Sequence, residues 1–304
     1  MSATVAQPIR RSWFKRNQIA LAPWLFLAPG LFLFTLYVLW PIVQSIWISF
    51  YDWDGLGQAK WIGLGNYAEL MSDDDFYTSL KNNLIWLVLY LLSVPAGLAI
   101  ALFLNQTVPG IRLYKSLFFF PFVISQVVVG LMFTWFYAPN FGLLSGVIKW
   151  LTGSNVAVLA DERYATYAII VAGLWPQIAY IMILYLTGLN NINPEQVEAA
   201  RMDHAKGWSL LWNIIIPQLR PATFIAIVVT VIGALRSFDL VSIMTHGGPY
   251  GSTRVLSYYM FEKALSEYGF RMGYGAAIAV VLFLIMMVFI TYFITRMIAQ
   301  ERNS

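Results

Sequence analysis

Long charge-free runs alternate with short polar ones along the chain. No charged residue occurs in 17–51, 82–111, 116–148, 164–193 or 272–295. A helix crosses the bilayer core with about 20 apolar residues, so each of these five runs has room for a span. A sixth stretch, 221–244, is apolar enough to insert but carries Arg236 and Asp239, which raise the cost of insertion. The pattern predicts an all-α membrane protein with six transmembrane helices, roughly over 20–42, 83–105, 116–138, 165–188, 221–244 and 273–296. A tail over 1–18 precedes a single membrane domain over 19–304.

Composition supports this. Hydrophobic residues make up 59% of the 304 residues and charged ones 11%, where soluble domains carry about a quarter charged. No stretch is left over that could bury a separate soluble core. Cysteine is absent, which excludes disulfides, thiolate metal sites and thiol nucleophiles. The basic N-terminus, with Arg10, Arg11, Lys15 and Arg16, precedes an apolar run too long for a signal peptide, and Trp24, Trp40 and Trp47 suit a retained helix anchored at the interface. With the N-terminus in the cytoplasm, eleven basic residues of the tails and loops fall inside and seven outside. That bias fits six spans with both termini cytoplasmic, and it places the 190–220 loop on the cytoplasmic side.

The 190–220 loop carries dense helix signals. Asn193 suits an N-cap, Pro194 the first helical position, and Gln196 the third position of a capping box. The helix is expected to run to Asp203, with Glu195 and Glu198 near its positive end. Ala199 and Ala200 would let a partner approach closely. Gly207 offers a turn, and a second helix follows in which Trp208, Leu211, Trp212 and Ile215 align. Pro217 and Pro221 are expected to end it. Such a hairpin suits either docking to a partner or lying flat as an amphipathic cover of the bundle.

The hairpin resembles the signature loop of permease subunits of ABC importers, EAAxxxG followed after nine residues by IxLP. Glu198, Ala199, Ala200, Ile214 and Pro217 match it. His204 stands where the family has Gly, at a turn that a side chain enters only at some cost, and Ile216 stands where it has Leu. Further segments are similar to carbohydrate permeases of the maltose, lactose and glycerol phosphate type: WIGLGNYAEL at 61–70, SLKNN at 79–83, FFFPFVIS at 118–125 and FDLVSIMTHGGPYGSTRVL at 238–256.

The resemblance implies a type I ABC importer permease fold in a bacterial inner membrane. It implies a second homologous permease, two ATPase subunits and a periplasmic sugar-binding protein as partners, with lipid around and no nucleic acid. The chain has no GxxxxGK[ST] phosphate loop, so it is expected to be no enzyme and to hold no cofactor or metal; ATP and Mg would be used by the ATPase subunits. His204 and His246 are expected on opposite membrane sides, unable to share a metal. For ATPase coupling the resemblance points to Glu198, Ala199, Ala200, Asp203, His204, Gly207 and Pro217, although Glu198 also suits the helix dipole alone.

For a sugar pathway it points to Trp175, Gln177 and Tyr180 in the fourth span and Thr230 and Ser237 in the fifth. Bonding between helices is an equal alternative for each. Arg236, inside a span, either pairs with Asp239 one turn on or recognises an anionic sugar. Asp73, Asp74 and Asp75 are expected in a solvated loop. The alternative class, a secondary sugar transporter driven by an ion gradient, would need intramembrane acids or histidines and inverted repeats, of which Asp239 is the sole trace.

Overall fold

The computed structural model describes residues 13–106, 109–266 and 270–301. Arg10, Arg11 and Arg302 lie outside these residues, as does most of the expected tail. The first span is one helix with a π-helical turn in it: α1 (Trp13–Phe34), Thr35–Leu39 and α2 (Trp40–Ile48). It is the least covered of the spans, with no buried residue in its most apolar stretch. Pro41, Ile42, Ser45 and Ile46 face Ala279, Val280 and Phe283 of the last helix. A two-stranded antiparallel ribbon follows, β1 (Tyr51–Asp52) with β2 (Lys60–Trp61), then α3 (Gly65–Leu70).

The second span joins α4 (Asp74–Tyr90) and α5 (Ser93–Leu104). The third is not straight. α6 (Ile111–Val123) and α7 (Gln126–Phe136) meet at 98°. Ile124 turns extended there, and Ser125 restarts the helix by accepting from the amide of Val128 at 3.4 Å. The FFFPFVIS segment, read as part of a plain span over 116–138, is a broken helix. Its serine offers the backbone an N-cap in place of a helical bond. α8 (Leu143–Thr152) and a 3-10 turn at Val158–Ala160 lead to the fourth span, α9 (Ala165–Asn190).

After α9 come α10 (Pro194–Met202), α11 (Trp208–Leu210), a π-helical turn at Leu211–Ile215 and α12 (Ile216–Gln218). The fifth span is α13 (Arg220–Leu235) with α14 (Asp239–Met244) at its end; α15 (Leu256–Leu265) and the long α16 (Met272–Glu301) complete the chain. Counting the bent pair as one, the described residues contain six stretches long and apolar enough to cross a membrane.

Two apolar clusters hold the bundle. The larger joins Trp86, Tyr90, Ile169, Ile170, Val241, Tyr259 and Ile278. The smaller, beside the 190–220 hairpin, joins Ala101, Leu104, Ile181, Met182, Tyr185, Leu189 and Leu219. At this end α9 and α13 touch through Gly188. A side chain there would lie 2.8 Å from the Cβ of Ala222 and 3.0 Å from Leu219, closer than packed carbon atoms sit.

Buried asparagines fix the opposite end. Asn82 Nδ2 donates to the carbonyls of Ser252 and Arg254, both at 2.7 Å. Asn83 Oδ1 accepts from the amide of Leu256 at 2.8 Å, and Thr166 Oγ1 donates to the Ser252 carbonyl at 3.2 Å. The SLKNN segment thus pins the loop carrying the GGP sequence to the second span.

Of the three aspartates expected in a solvated loop, Asp74 is exposed at the start of α4, but Asp73 and Asp75 are partnered. Asp73 caps α4, accepting from the Asp75 amide at 3.0 Å, and also accepts from the hydroxyls of Tyr259 and Tyr274. Asp75 pairs with Arg254 at 2.9 Å, Arg254 pairs with Glu262 at 2.7 Å, and Arg271 grips Glu69 with two bonds of 2.7 Å. Burial works against the Asp73 carboxylate, but the two hydroxyls and the amide outweigh it and hold its pKa below the ordinary value. Arg271 does the same for Glu69. These acids are partnered because the helices bring remote tyrosines and arginines to them, which their own neighbours in sequence do not reveal.

Candidate functional site: a capped hairpin and a polar seam between the fourth and fifth spans

The hairpin begins as its sequence dictates. Asn193 is extended, and its side chain accepts from the Glu195 amide at 2.9 Å, with Pro194 following. The expected capping box forms only by half. Gln196 is exposed and makes no such bond, and the Asn193 amide instead donates to Gln218 Oε1 at 3.2 Å. Glu198 and Ala199 are exposed, and Glu198 has no hydrogen bond or ion pair among the described residues. Ala200 is buried, 8% exposed, so only Ala199 of the two alanines can offer a partner close approach. Its placement follows from the helical repeat, since consecutive residues point about 100° apart.

Asp203 closes α10, its amide donating to the Ala199 carbonyl at 3.1 Å. His204 takes the left-handed conformation, φ 65°, with Nδ1 3.1 Å from the Met202 carbonyl. It therefore makes the turn that the family assigns to glycine. Gly207 makes a second turn, φ 53° and ψ −119°, which a side chain would oppose. Trp208 and Trp212 are exposed at 73% and 59%, while Leu211 and Ile215 are partly covered.

Pro217 does not end the second helix. It lies in α12, and the π-helical turn just before it absorbs the hydrogen bond its ring nitrogen cannot donate. The helical break comes at Leu219, and Pro221 sits in the first turn of α13.

The pathway candidates separate into distinct places. Gln177 Nε2 donates to Thr230 Oγ1 at 3.1 Å, joining α9 to α13, and Thr230 is fully buried. Tyr185 donates to Thr223 Oγ1 at 3.1 Å in the same seam. Tyr180 stacks on Phe122 of the broken span, ring centres 5.1 Å apart and planes within 6°. Trp175 points elsewhere, about 160° around the helix from Gln177, and lines an apolar groove of about 940 Å³ with Phe133, Phe136, Val171 and Ile178. Ser237 Oγ donates to the Gly233 carbonyl at 3.2 Å.

Arg236 and Asp239 are both exposed and form no ion pair with each other or with any other of the described residues. The helix breaks between them, because α13 stops at Leu235 and α14 starts at Asp239, so the one-turn spacing that would pair them does not exist. Among the described residues no group of three or more His, Asp or Glu could hold a metal ion.

Residues 93–303 match the family described as binding-protein-dependent transport system inner membrane component. A probable ABC transporter permease protein of Pyrococcus horikoshii is 37% identical over 87% of this chain and 91% of its own length. An alpha-glucoside transport system permease of Rhizobium meliloti is 33% identical, with 88% and 79% covered. A lactose transport system permease of Rhizobium radiobacter is 31% identical, with 92% and 94% covered. Among solved structures, a chain of a bacterial alginate ABC transporter, in complex with its pentasaccharide-bound periplasmic protein, superposes with a TM-score of 0.81 at 20% identity, covering 93% of this chain and 96% of that one. That likeness bears on the fold. With the family match covering more than two thirds of the chain, this protein belongs to the binding-protein-dependent transport inner membrane components and is an ABC transporter permease.

Proposed function

We propose that this chain is the permease of a sugar importer driven by ATP, lining a pathway together with a second permease, receiving its substrate from a periplasmic binding protein, and docking ATPase subunits through the 190–220 hairpin. The observation that carries the docking role is the hairpin's exposed end. A capped α10 leaves Glu198 without a partner among the described residues and Ala199 without bulk, and the turn that follows leaves the indoles of Trp208 and Trp212 exposed. A carboxylate, a small residue and two exposed aromatics are residue types that protein interfaces use, and the likeness of the loop to the ABC permease signature favours docking over an amphipathic cover of the bundle. The hairpin then lies in the cytoplasm, and both termini with it. Relatives whose names specify α-glucosides and lactose support a sugar as cargo. Sugars are held by aromatic faces and by groups that donate and accept hydrogen bonds. Tyr180 stacked on Phe122, and the half-buried Gln177, supply both kinds between α9 and the broken third span, while the fully buried Thr230 holds Gln177 in place rather than facing a sugar.

Uptake by cells expressing the system tests this. With radiolabelled lactose, maltose and an α-glucoside in parallel, uptake should persist when a protonophore collapses the ion gradients and ATP is maintained, and it should stop when ATP is depleted. Loss with the protonophore alone would favour a gradient-driven carrier and sink the proposal.

A further inference from the structure

We propose that Gln218 is a positioning residue: its side chain clasps the start of the hairpin to its end, so that α10 and the base of α13 move as one body. This rests on the hairpin being the ATPase-docking element.

Asn193 and Gln218 lie 25 residues apart, at the two ends of the hairpin, and one bond of 3.2 Å from the Asn193 amide to Gln218 Oε1 joins them. No protein group other than Gln218 serves that amide among the described residues. Asn193 is the N-cap of α10, so its N–H has no partner within the helix, and Gln196, placed by sequence to supply one, does not. The orientation of the Gln218 amide follows, since only its oxygen can accept; Nε2 is buried with no partner among the described residues.

Immediately beyond the clasp, Leu219 is 1% exposed and lies with Ala222 against Gly188 at the end of α9. A displacement of α10 thus reaches the fourth span through the chain and the fifth through Gln218. Without the clasp, the 3-residue helix α12 and the π-helical turn before it are the connection from α11 to the fifth span, and a π-helical turn is a site where helices yield.

The test compares Gln218→Met, which keeps the shape and removes the acceptor, with Gln218→Glu, which keeps the oxygens. The assembled transporter complex is purified in lipid nanodiscs. Loss of one hydrogen bond worth about 1 kcal/mol should speed amide exchange in segment 190–198 about fivefold in Gln218→Met, with the native rate kept in Gln218→Glu.

The absence of cysteine allows spin labels at Gln196→Cys and Ile225→Cys, both exposed positions. With native Gln218 and with Gln218→Glu, the distance between them should be narrow with and without MgATP and vanadate. With Gln218→Met it should broaden only when the nucleotide is trapped, because load from the ATPase then pulls α10 away from α13. Unchanged exchange, or equal broadening without nucleotide, would overturn the proposal by leaving Gln218 a local contact. Adding Ala199→Arg, which blocks docking, should abolish the nucleotide-dependent broadening. Persistence of the broadening with the ATPase displaced would refute the docking reading and leave the clasp standing.

Discussion

Replacing Asn82 with leucine removes two donated bonds at once and leaves two carbonyls, of Ser252 and Arg254, without their donor. Asn82 is 5% exposed, so little water can take its place. Each abandoned buried acceptor costs about 1 to 3 kcal/mol, and the Thr166 hydroxyl remains to serve the Ser252 carbonyl at 3.2 Å. The loss should therefore be about 2 to 4 kcal/mol, concentrated on the loop between α14 and α15.

Hydrogen exchange resolved to peptides reads this directly. Segment 245–256 should lose protection in Asn82→Leu, while α9 and α5 keep theirs. Asn82→Asp sharpens the test, since both bonds are donated by the amide nitrogen and a carboxylate cannot donate them. Facing two carbonyl oxygens, the aspartate should be no better than leucine. Native protection of 245–256 in Asn82→Leu, or rescue by Asn82→Asp, would refute the assignment of Asn82 as the donor that pins the loop.

Replacing Asn193 with alanine removes the cap of α10 and should destabilise the hairpin by about 1 kcal/mol, seen as faster exchange over 194–202 with the spans unaffected. The ion cluster at the end of the bundle away from the hairpin gives a signed pH dependence. Asp73 and Glu69 both have pKa values below ordinary carboxylate values when folded. Their contribution is thus complete above the unfolded values of about 4 and is lost as pH falls through the folded ones. Thermal unfolding followed by tryptophan fluorescence should be flat from neutrality down to about pH 5 with respect to these groups and fall only in stronger acid. Asp73→Asn should weaken that acid dependence. Gln177→Leu with Thr230→Val should cost less together than the sum of the single changes, because each alone strands its partner.

Sequence conveyed the spans because charge is excluded from bilayer-spanning stretches, and it conveyed the start of α10 because Asn, Pro and the acids act within one turn. Contacts set by tertiary approach were not legible. The aspartates at 73–75 look like a solvated acidic run, which Asp74 is, until Tyr259 and Tyr274 are brought to Asp73 and Arg254 to Asp75 from far away in sequence. Arg236 and Asp239 look paired on a continuous helix, and the helix breaks between them. Gln196 has the capping-box spacing, yet Gln218 occupies the position, delivered by a helix end that spacing alone does not locate. The bend at Ile124 has a local signal, Pro121 followed by Ser125, which hydropathy averages away. His204 is the converse case: its departure from glycine pointed to a strained turn, and the residue does sit at positive φ.

The proposed role of the exposed end of the 190–220 hairpin is to join this permease to the subunits that hydrolyse ATP. Affinity purification of the tagged chain from its native membranes measures it most directly, with the wild type and Ala199→Arg compared side by side. The wild type should bring down a second permease and a protein carrying a phosphate-binding loop, and Ala199→Arg should retain the permease and lose the ATPase. An ATPase retained at wild-type level by Ala199→Arg, or a wild-type chain that brings down no ATPase, would contradict it.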